Sequence, residues 1–249
     1  MRLAVITFDV EHDCPPYLDT YQGVEKGLPR ILDLLAEKRV RAVFYFTADA
    51  AKRYPQLARR VVDEGHELGS HGYAHERLDK LPPKSAVRAI FKSVTVLLKY
   101  TDRLVSFRAP NLQLPGYLLR VLVAVGFAVD SSLATYKPPF PKSPCMYDDL
   151  LRVPVSATSS ILRLPWRMQQ VIHSRMGSPL VYFSHPWEYV DMKGRLLRPD
   201  CVFNTGEKAL QLLARLIDYL RSTGWRLVTM TELRGILSPQ PRCTNKDSI

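Results

Sequence analysis

Apolar residues recur along the chain in two rhythms. The sets Leu28, Ile31, Leu32, Leu35; Leu118, Val121, Leu122, Val125; and Leu213, Leu216, Ile217, Leu220 follow i, i+3, i+4, i+7 spacing. That period places one apolar stripe on each of three predicted helices. Val87, Ile90, Phe91 and Val94 repeat it after the Pro82-Pro83 break, with Ser85 as a candidate cap. Between these stretches lie short runs of β-branched and aromatic residues bounded by glycine or proline. They predict strands at Leu3–Thr7, Arg41–Thr47, Glu67–Ser70, Leu104–Arg108, Ala128–Ser131, Leu151–Val155, Leu180–Ser184 and Arg226–Val228. Strand and helix alternate, so an α/β fold is expected in which a parallel sheet is covered by helices, and a closed barrel is one solution. No internal repeat is present.

The chain has 249 residues, which suits one large domain better than two small ones. We expect a catalytic barrel over residues 1–237 and a flexible polar tail over 238–249. The proline-rich stretch Lys137 to Pro144 reads as an ordered surface loop, because periodic structure resumes soon after it. With 46% hydrophobic and 24% charged residues, the composition is that of a soluble globular protein. No apolar run approaches the roughly 18 residues of a membrane span. The first apolar run, Leu3 to Thr7, is too short for a signal-peptide core and reads as a buried strand, so a cytoplasmic location is expected.

Lys and Arg outnumber Asp and Glu by 35 to 24, a formal charge of +11. That charge favours anionic partners. The basic residues are nevertheless scattered through periodic helices, with no dense basic stretch and no nucleic-acid-binding signature, and nucleic-acid binding is not expected. The four cysteines, Cys14, Cys145, Cys201 and Cys243, form no CxxC pair. A cysteine-rich zinc site is thereby disfavoured and disulfides stay open. Few Asn and many Arg hint at a heat-adapted source, in which intracellular disulfides occur.

Candidate chemistry gathers at the ends of predicted strands. Thr7-Phe8-Asp9-Val10-Glu11-His12-Asp13 sets three carboxylates and an imidazole after the first strand. His71 and His75, in Gly65-His66-Glu67-Leu68-Gly69-Ser70-His71-Gly72-Tyr73-Ala74-His75, are four apart, so a helical turn or tight loop can aim both imidazoles at one metal. His185, in Tyr182-Phe183-Ser184-His185-Pro186-Trp187-Glu188, suits either proton transfer to a leaving amine or a structural cap. Arg108 and Asp130 also follow strands, where an ion pair and an Asx-type turn are the plain readings. His173 reads as structural or solvent-facing. In a closed barrel the carboxyl ends of the strands meet around one mouth, and two imidazoles with one carboxylate make a three-ligand metal site with positions left open.

From about Leu3 to Leu233 these residues resemble the polysaccharide deacetylases, carbohydrate esterase family 4. The segment Gly65 to His75 resembles the family's second motif, and Ala42-Val43-Phe44-Tyr45-Phe46-Thr47 its second-strand signature. Asp9-Val10-Glu11 departs from the usual T-F-D-D-G-P opening. It is similar to the D-x-D or D-V-E form of a branch that includes peptidoglycan deacetylases and allantoinase-like proteins. The same branch carries segments like Arg108-Ala109-Pro110, Asp130-Ser131-Ser132 and His185-Pro186-Trp187-Glu188, with Val129 here in place of the usual Tyr.

The resemblance implies a distorted (β/α)7-like barrel and a divalent metal, usually zinc, sometimes cobalt or nickel. It implies Asp9 as base, Glu11, His71 and His75 as ligands with Asp13 as the alternative to Glu11, His185 as proton donor and Arg108 as the partner orienting Asp9. Asp130 is expected to orient a partner, and Tyr73, Trp187 and Trp166 to line a sugar-binding wall or the core. The implied reaction removes N-acyl groups, chiefly acetyl, from amino sugars of a polysaccharide or glycan precursor. Other C–N hydrolysis (a formamide, a cyclic ureide, a lipid-linked amide) and an inactive carbohydrate-binding barrel are the alternatives. The expected partner is a carbohydrate, and a homo-oligomer is left open.

Overall fold

In the computed structural model, which describes residues 1–138, 142–194, 197–237 and 240–243, the long strand β1 (Arg2–Val10) is the axis around which the chain is built. Every residue of β1 after Arg2 is buried. Alternation along it sorts the side chains: Ile6, Phe8 and Val10 face the helices, whereas Leu3 and Val5 face the barrel interior. Thr7, Asp9 and Glu11 continue the interior-facing parity, so one face of one strand changes from apolar to polar as it reaches the mouth.

Successive strands join β1 in parallel. They are β2 (Val43–Phe46), β3 (Glu67–Ser70), β4 (Ser106–Phe107), β5 (Val129–Asp130), β7 (Leu150–Arg152) and β8 (Leu180–Ser184), with β6 (Cys145–Tyr147) antiparallel on β7. The order is β6-β7-β5-β4-β3-β2-β1-β8, and β9 (Trp225–Leu227) pairs with the start of β1. The sheet curls until the chain beyond β7 meets β8. There Ser156 N donates to the Val181 carbonyl at 2.8 Å and Ala157 bridges Tyr182. Seven strands thus go round a distorted barrel whose last seam is irregular.

Helices cover the outside. α1 (Leu28–Lys38) buries Leu28, Ile31, Leu32 and Leu35, its predicted stripe, and ends at Arg39 in the left-handed region. Each such leucine contributes roughly 1.5–3 kcal/mol of burial. α2 (Ala48–Arg53) and α3 (Pro55–Asp63) lead to β3, α4 (Pro83–Leu97) to β4 and α5 (Tyr117–Val125) to β5. α6 (Trp166–Ser174), α7 (Pro199–Val202), α8 (Glu207–Ser222) and α9 (Met230–Ile236) complete the layer. Between β5 and β7 the described chain forms the β6 hairpin arm where a crossover helix would stand, and this distorts the barrel.

All eight sequence-predicted strands are present, four of them shorter than expected and the first longer. The structure adds β6, α2, α3, α7 and α9. Of the loop read over Lys137 to Pro144, residues 139–141 lie outside the described residues, as do 238, 239 and 244–249 of the expected tail. Within 240–243, Cys243 N donates to the Met146 carbonyl at 2.9 Å and its sulfur is bonded to Cys145. A second disulfide, Cys14–Cys201, ties the loop after β1 to α7. No helix among the described residues is long and apolar enough to cross a membrane.

Candidate metal centre and active site

β1 delivers Asp9 and Glu11 two residues apart, hence on one face, and both are almost wholly buried. β3 ends at Ser70, and a loop with positive φ at Gly72 and His75 returns two imidazoles toward β1. Gly72 takes this conformation readily, whereas His75 takes it against the preference of an L-residue. The H-x-x-x-H pair is therefore presented by a tight loop, not by a helix.

Glu11 Oε2 lies 3.1 Å from His71 Nε2 and 2.9 Å from His75 Nε2. The three donor atoms all fall within 4.8 Å of one another, a spacing that one ion can bridge. The protonation pattern points the same way. His71 Nδ1 is 2.8 Å from the Arg108 carbonyl oxygen, which only accepts, so Nδ1 carries the proton of that bond and Nε2 is the ring nitrogen that faces Glu11. Glu11 Oε2 is buried and makes no aligned hydrogen bond with either imidazole. A buried carboxylate oxygen without a hydrogen-bond donor, faced by two imidazole nitrogens within bridging distance of one ion, is what a cation satisfies, so the residues fit a divalent metal. Burial alone would raise the Glu11 pKa; the field of His75 and the contacts with His71 and His75 offset this and hold it well below the usual carboxylate range.

Asp13, which sequence left open as the carboxylate ligand, lies outside the cluster. Its oxygens accept from Gln22 N and Gly23 N, each at 2.8 Å, and from the Thr20 hydroxyl at 2.6 Å, so it caps the turn before α1.

Arg108 follows β4 and is fully buried inside the barrel. Its Nη1 donates to Asp9 Oδ1 at 2.7 Å and to the Thr7 hydroxyl at 2.6 Å, its Nη2 to the Ser131 hydroxyl at 3.0 Å, and the guanidinium stacks over Tyr45. Asp130 acts through its neighbours. It accepts from Arg152 Nε at 2.9 Å and from the Ser132 backbone and hydroxyl, while Ser132 Oγ accepts from Ala109 N at 2.8 Å. The Arg108–Ala109 peptide is therefore held at both ends, by Ser132 at its N–H and by His71 at its carbonyl.

His185 approaches Glu11 from the other oxygen, Nε2 to Oε1 at 3.7 Å. Its Nδ1 is 2.8 Å from Glu188 Oε1, and Glu188 is paired on its second oxygen with the buried Arg163 at 2.6 Å. Burial disfavours the imidazolium, but the Glu188 hydrogen bond and the charges of Glu11, Glu188 and Asp9 outweigh it and push the His185 pKa up to about 9. The turn carrying His185 fits tightly against the helical turn that begins at Gly23. A Cβ at Gly23 would fall 2.3 Å from Trp187 N, and one at Gly27 2.0 Å from the Pro186 carbonyl. Only glycine permits that approach.

A cavity of about 480 Å³ opens over this group, lined by Asp9, Glu11, His71, His75 and His185 together with Tyr136 and Phe183. Tyr73, Trp187, Trp166 and Asp130 do not line it. Tyr73 lies against Lys52 and Lys92. Trp187 is buried with its ring stacked on His185, and Trp166 packs on His173 and Tyr219. His173 is buried and bonded to the Tyr182 hydroxyl at 3.0 Å.

Sequence reasoning missed Glu188 as the partner of His185, Arg163 behind it, and Ser132. Glu188 stood three residues from His185 in a short turn, which was a usable signal. Arg163, within the stretch Ile161 to Trp166, gave none.

A family model described as polysaccharide deacetylase matches residues 2–129, half of the chain. The chain belongs to the polysaccharide deacetylase family. Among its relatives, a peptidoglycan-N-acetylglucosamine deacetylase of Bacillus cereus is 33% identical over 89 residues, 36% of this chain and 30% of that protein. The chain thus spans about a third of the length of the curated relatives it first matches. Of solved structures, a Mycobacterium smegmatis protein assigned to the polysaccharide deacetylases superposes with a TM-score of 0.76 at 20% identity, over 98% of this chain and 94% of that one. A pseudoenzyme of carbohydrate esterase family 4 from Bacillus anthracis gives 0.65 at 16% identity, over 97% and 67%. These likenesses establish the barrel of the family; both matched structures share too little sequence to carry activity across.

Proposed function

We propose that this polysaccharide deacetylase family member is a metal-dependent hydrolase that removes N-acetyl groups from amino sugars of a polysaccharide or glycan precursor. The supporting observation is the arrangement around Glu11: His71 and His75 at one carboxylate oxygen, His185 at the other, and the Asp9–Arg108 pair beside them in one cavity.

Glu11, His71 and His75 would hold the ion, with zinc favoured by the donor set and cobalt or nickel as substitutes. When bound, it supplies a Lewis acid for the acyl carbonyl and lowers the pKa of water toward about 7. Arg108 fixes Asp9 through Oδ1, leaving Oδ2 to take the proton of the attacking water. His185, protonated and held at Nδ1 by Glu188, gives its Nε2 proton to the departing nitrogen. Tyr136 and Phe183 flank the cavity beside these residues. Formamides, cyclic ureides and lipid-linked amides would call on the same residues. One structural neighbour is described as a pseudoenzyme; an inactive carbohydrate-binding barrel has against it here that candidates for base, ligands and acid are all assembled.

A panel of N-acetylated sugars and small amides, each tried with and without chelator, separates these readings. Chelator-sensitive acetate from the sugars supports the proposal. Turnover of small amides alone would move the activity to another C–N bond, and glycan binding without turnover would leave an inactive barrel. For location we propose the cytoplasm of a heat-adapted cell, where paired cysteines persist; recovery of the protein outside the cytoplasm on fractionation would refute that.

A further inference from the structure

A second cavity of about 480 Å³ adjoins the first, and the two share Leu112, Gln113 and Lys137 as their common wall. Basic side chains are frequent along both, yet most have a carboxylate of their own. Arg77 is bonded through two nitrogens to Asp79, Arg198 likewise to Asp200, and Arg152 to Asp130. Lys137 differs. Its side chain is half-buried, its ammonium donates to the Asn111 carbonyl at 2.9 Å in an exposed hydrogen bond, and among the described residues it has no carboxylate partner. Its charged neighbours are Lys142 and Arg77, whose like charge adds to burial in lowering its pKa. The carbonyl that receives it belongs to a strained stretch, since Asn111 and Leu112 both have positive φ. A lysine kept where its environment opposes the charge, on the wall between two cavities, has hydrogen-bonding capacity left for a ligand that supplies the missing negative charge.

We propose that the second cavity is a subsite for an anionic substituent of the amino-sugar substrate, a phosphoryl or carboxylate group, and that Lys137 is the residue that reads it. The inference rests on the N-deacetylase reading and narrows its substrate to charged amino sugars. The acetamide would lie over Glu11, His71 and His75 while the anionic group crosses the Leu112–Lys137 wall. One charge-assisted hydrogen bond made by the anionic substrate and absent from the neutral one gives about a tenfold preference or more.

The test uses the metal-loaded full chain with three probes: N-acetylglucosamine, its 1-phosphate, and N-acetylmuramic acid, which carries a carboxylate. Binding is followed by calorimetry and turnover by acetate release. The wild type is expected to bind at least one anionic probe about tenfold more tightly than the neutral one. Lys137→Met should abolish that preference, raising KM for the anionic substrate relative to the neutral one with little change in kcat, and Lys137→Arg should retain it. The phosphoryl and carboxylate arms tell which anion is read. Equal binding of charged and neutral probes by the wild type overturns the subsite, as does a preference that survives in Lys137→Met. If no probe yields acetate but the Lys137-dependent preference in binding persists, the deacetylase reading fails and the anion subsite stands.

Discussion

His71 and Ser132 grip opposite ends of one peptide group: the Arg108 carbonyl accepts from His71 Nδ1 and the Ala109 N–H donates to Ser132 Oγ, both at 2.8 Å. Asp130 in turn accepts from Ser132. The orientation of a candidate metal ligand is thus set through a peptide group by Ser132, which does not itself touch the ligand. Ser132→Ala leaves a buried N–H without its acceptor, which is expected to cost about 1–3 kcal/mol. Metal affinity should fall by about tenfold as the His71 ring loosens. Thermal unfolding and metal titration of the variant check both, and wild-type values in both would show that the peptide is held by other means.

Base and ligand roles separate by mutation. Asp9→Asn should retain metal while kcat falls by about 10²–10⁴-fold, because the carboxylate that takes the water proton is gone and the cluster around Glu11 is intact. His71→Ala should lose metal and turnover together. Equal metal loss in the two variants, measured by elemental analysis, would contradict the assignment.

Glu188 sets the charge state of His185. The imidazolium is the active form of a proton donor and Glu188 raises its pKa, so activity should hold at neutral pH and fall on the alkaline side as His185 loses its proton. Glu188→Gln removes the hydrogen-bonded negative charge, and the alkaline limb of the kcat profile should move to lower pH. His185→Ala should lower kcat far more than it raises KM. An alkaline limb unmoved in Glu188→Gln would assign that titration to another group.

The candidate site's residues were legible because each stands at the carboxyl end of a strand that hydrophobic patterning reveals. Asp9 and Glu11 share the parity of Leu3 and Val5, and His71, Arg108, Asp130 and His185 follow the predicted third, fourth, fifth and seventh strands. The choice between Glu11 and Asp13 was not legible locally, since it depends on the turn at Thr20 to Gly23, which takes both oxygens of Asp13. α2 and α3 were missed because alanines supply most of what they bury: Ala48, Ala50 and Ala51 in one, Ala58 and Val61 in the other. Small side chains leave little periodic signal. β6 is three residues long and pairs antiparallel, outside the βα alternation that guided the reading. Lys137 and Arg163 acquire meaning only from partners, or their absence, far along the chain.

A buried histidine should shape stability at acid pH. Burial lowers the His173 pKa to about 4, below its ordinary 6.5. Above about 6.5 both folded and unfolded chains carry it neutral, and it adds no pH dependence. As pH falls below 6.5 the unfolded chain takes up the proton first, and stability drops by on the order of 3 kcal/mol by pH 4. His173→Gln should flatten the decline in Tm between pH 7 and 4.5. An acid decline as steep as in the wild type would place its origin in other groups.

A metal-dependent N-deacetylase centred on Glu11, His71 and His75 is tested by the metal content of the purified protein, read together with acetate release from N-acetylated amino sugars before chelation, after it, and after metal is restored. We predict close to one equivalent of metal per chain, loss of acetate release on chelation and its return with zinc. Acetate release that survives complete removal of metal would contradict the account.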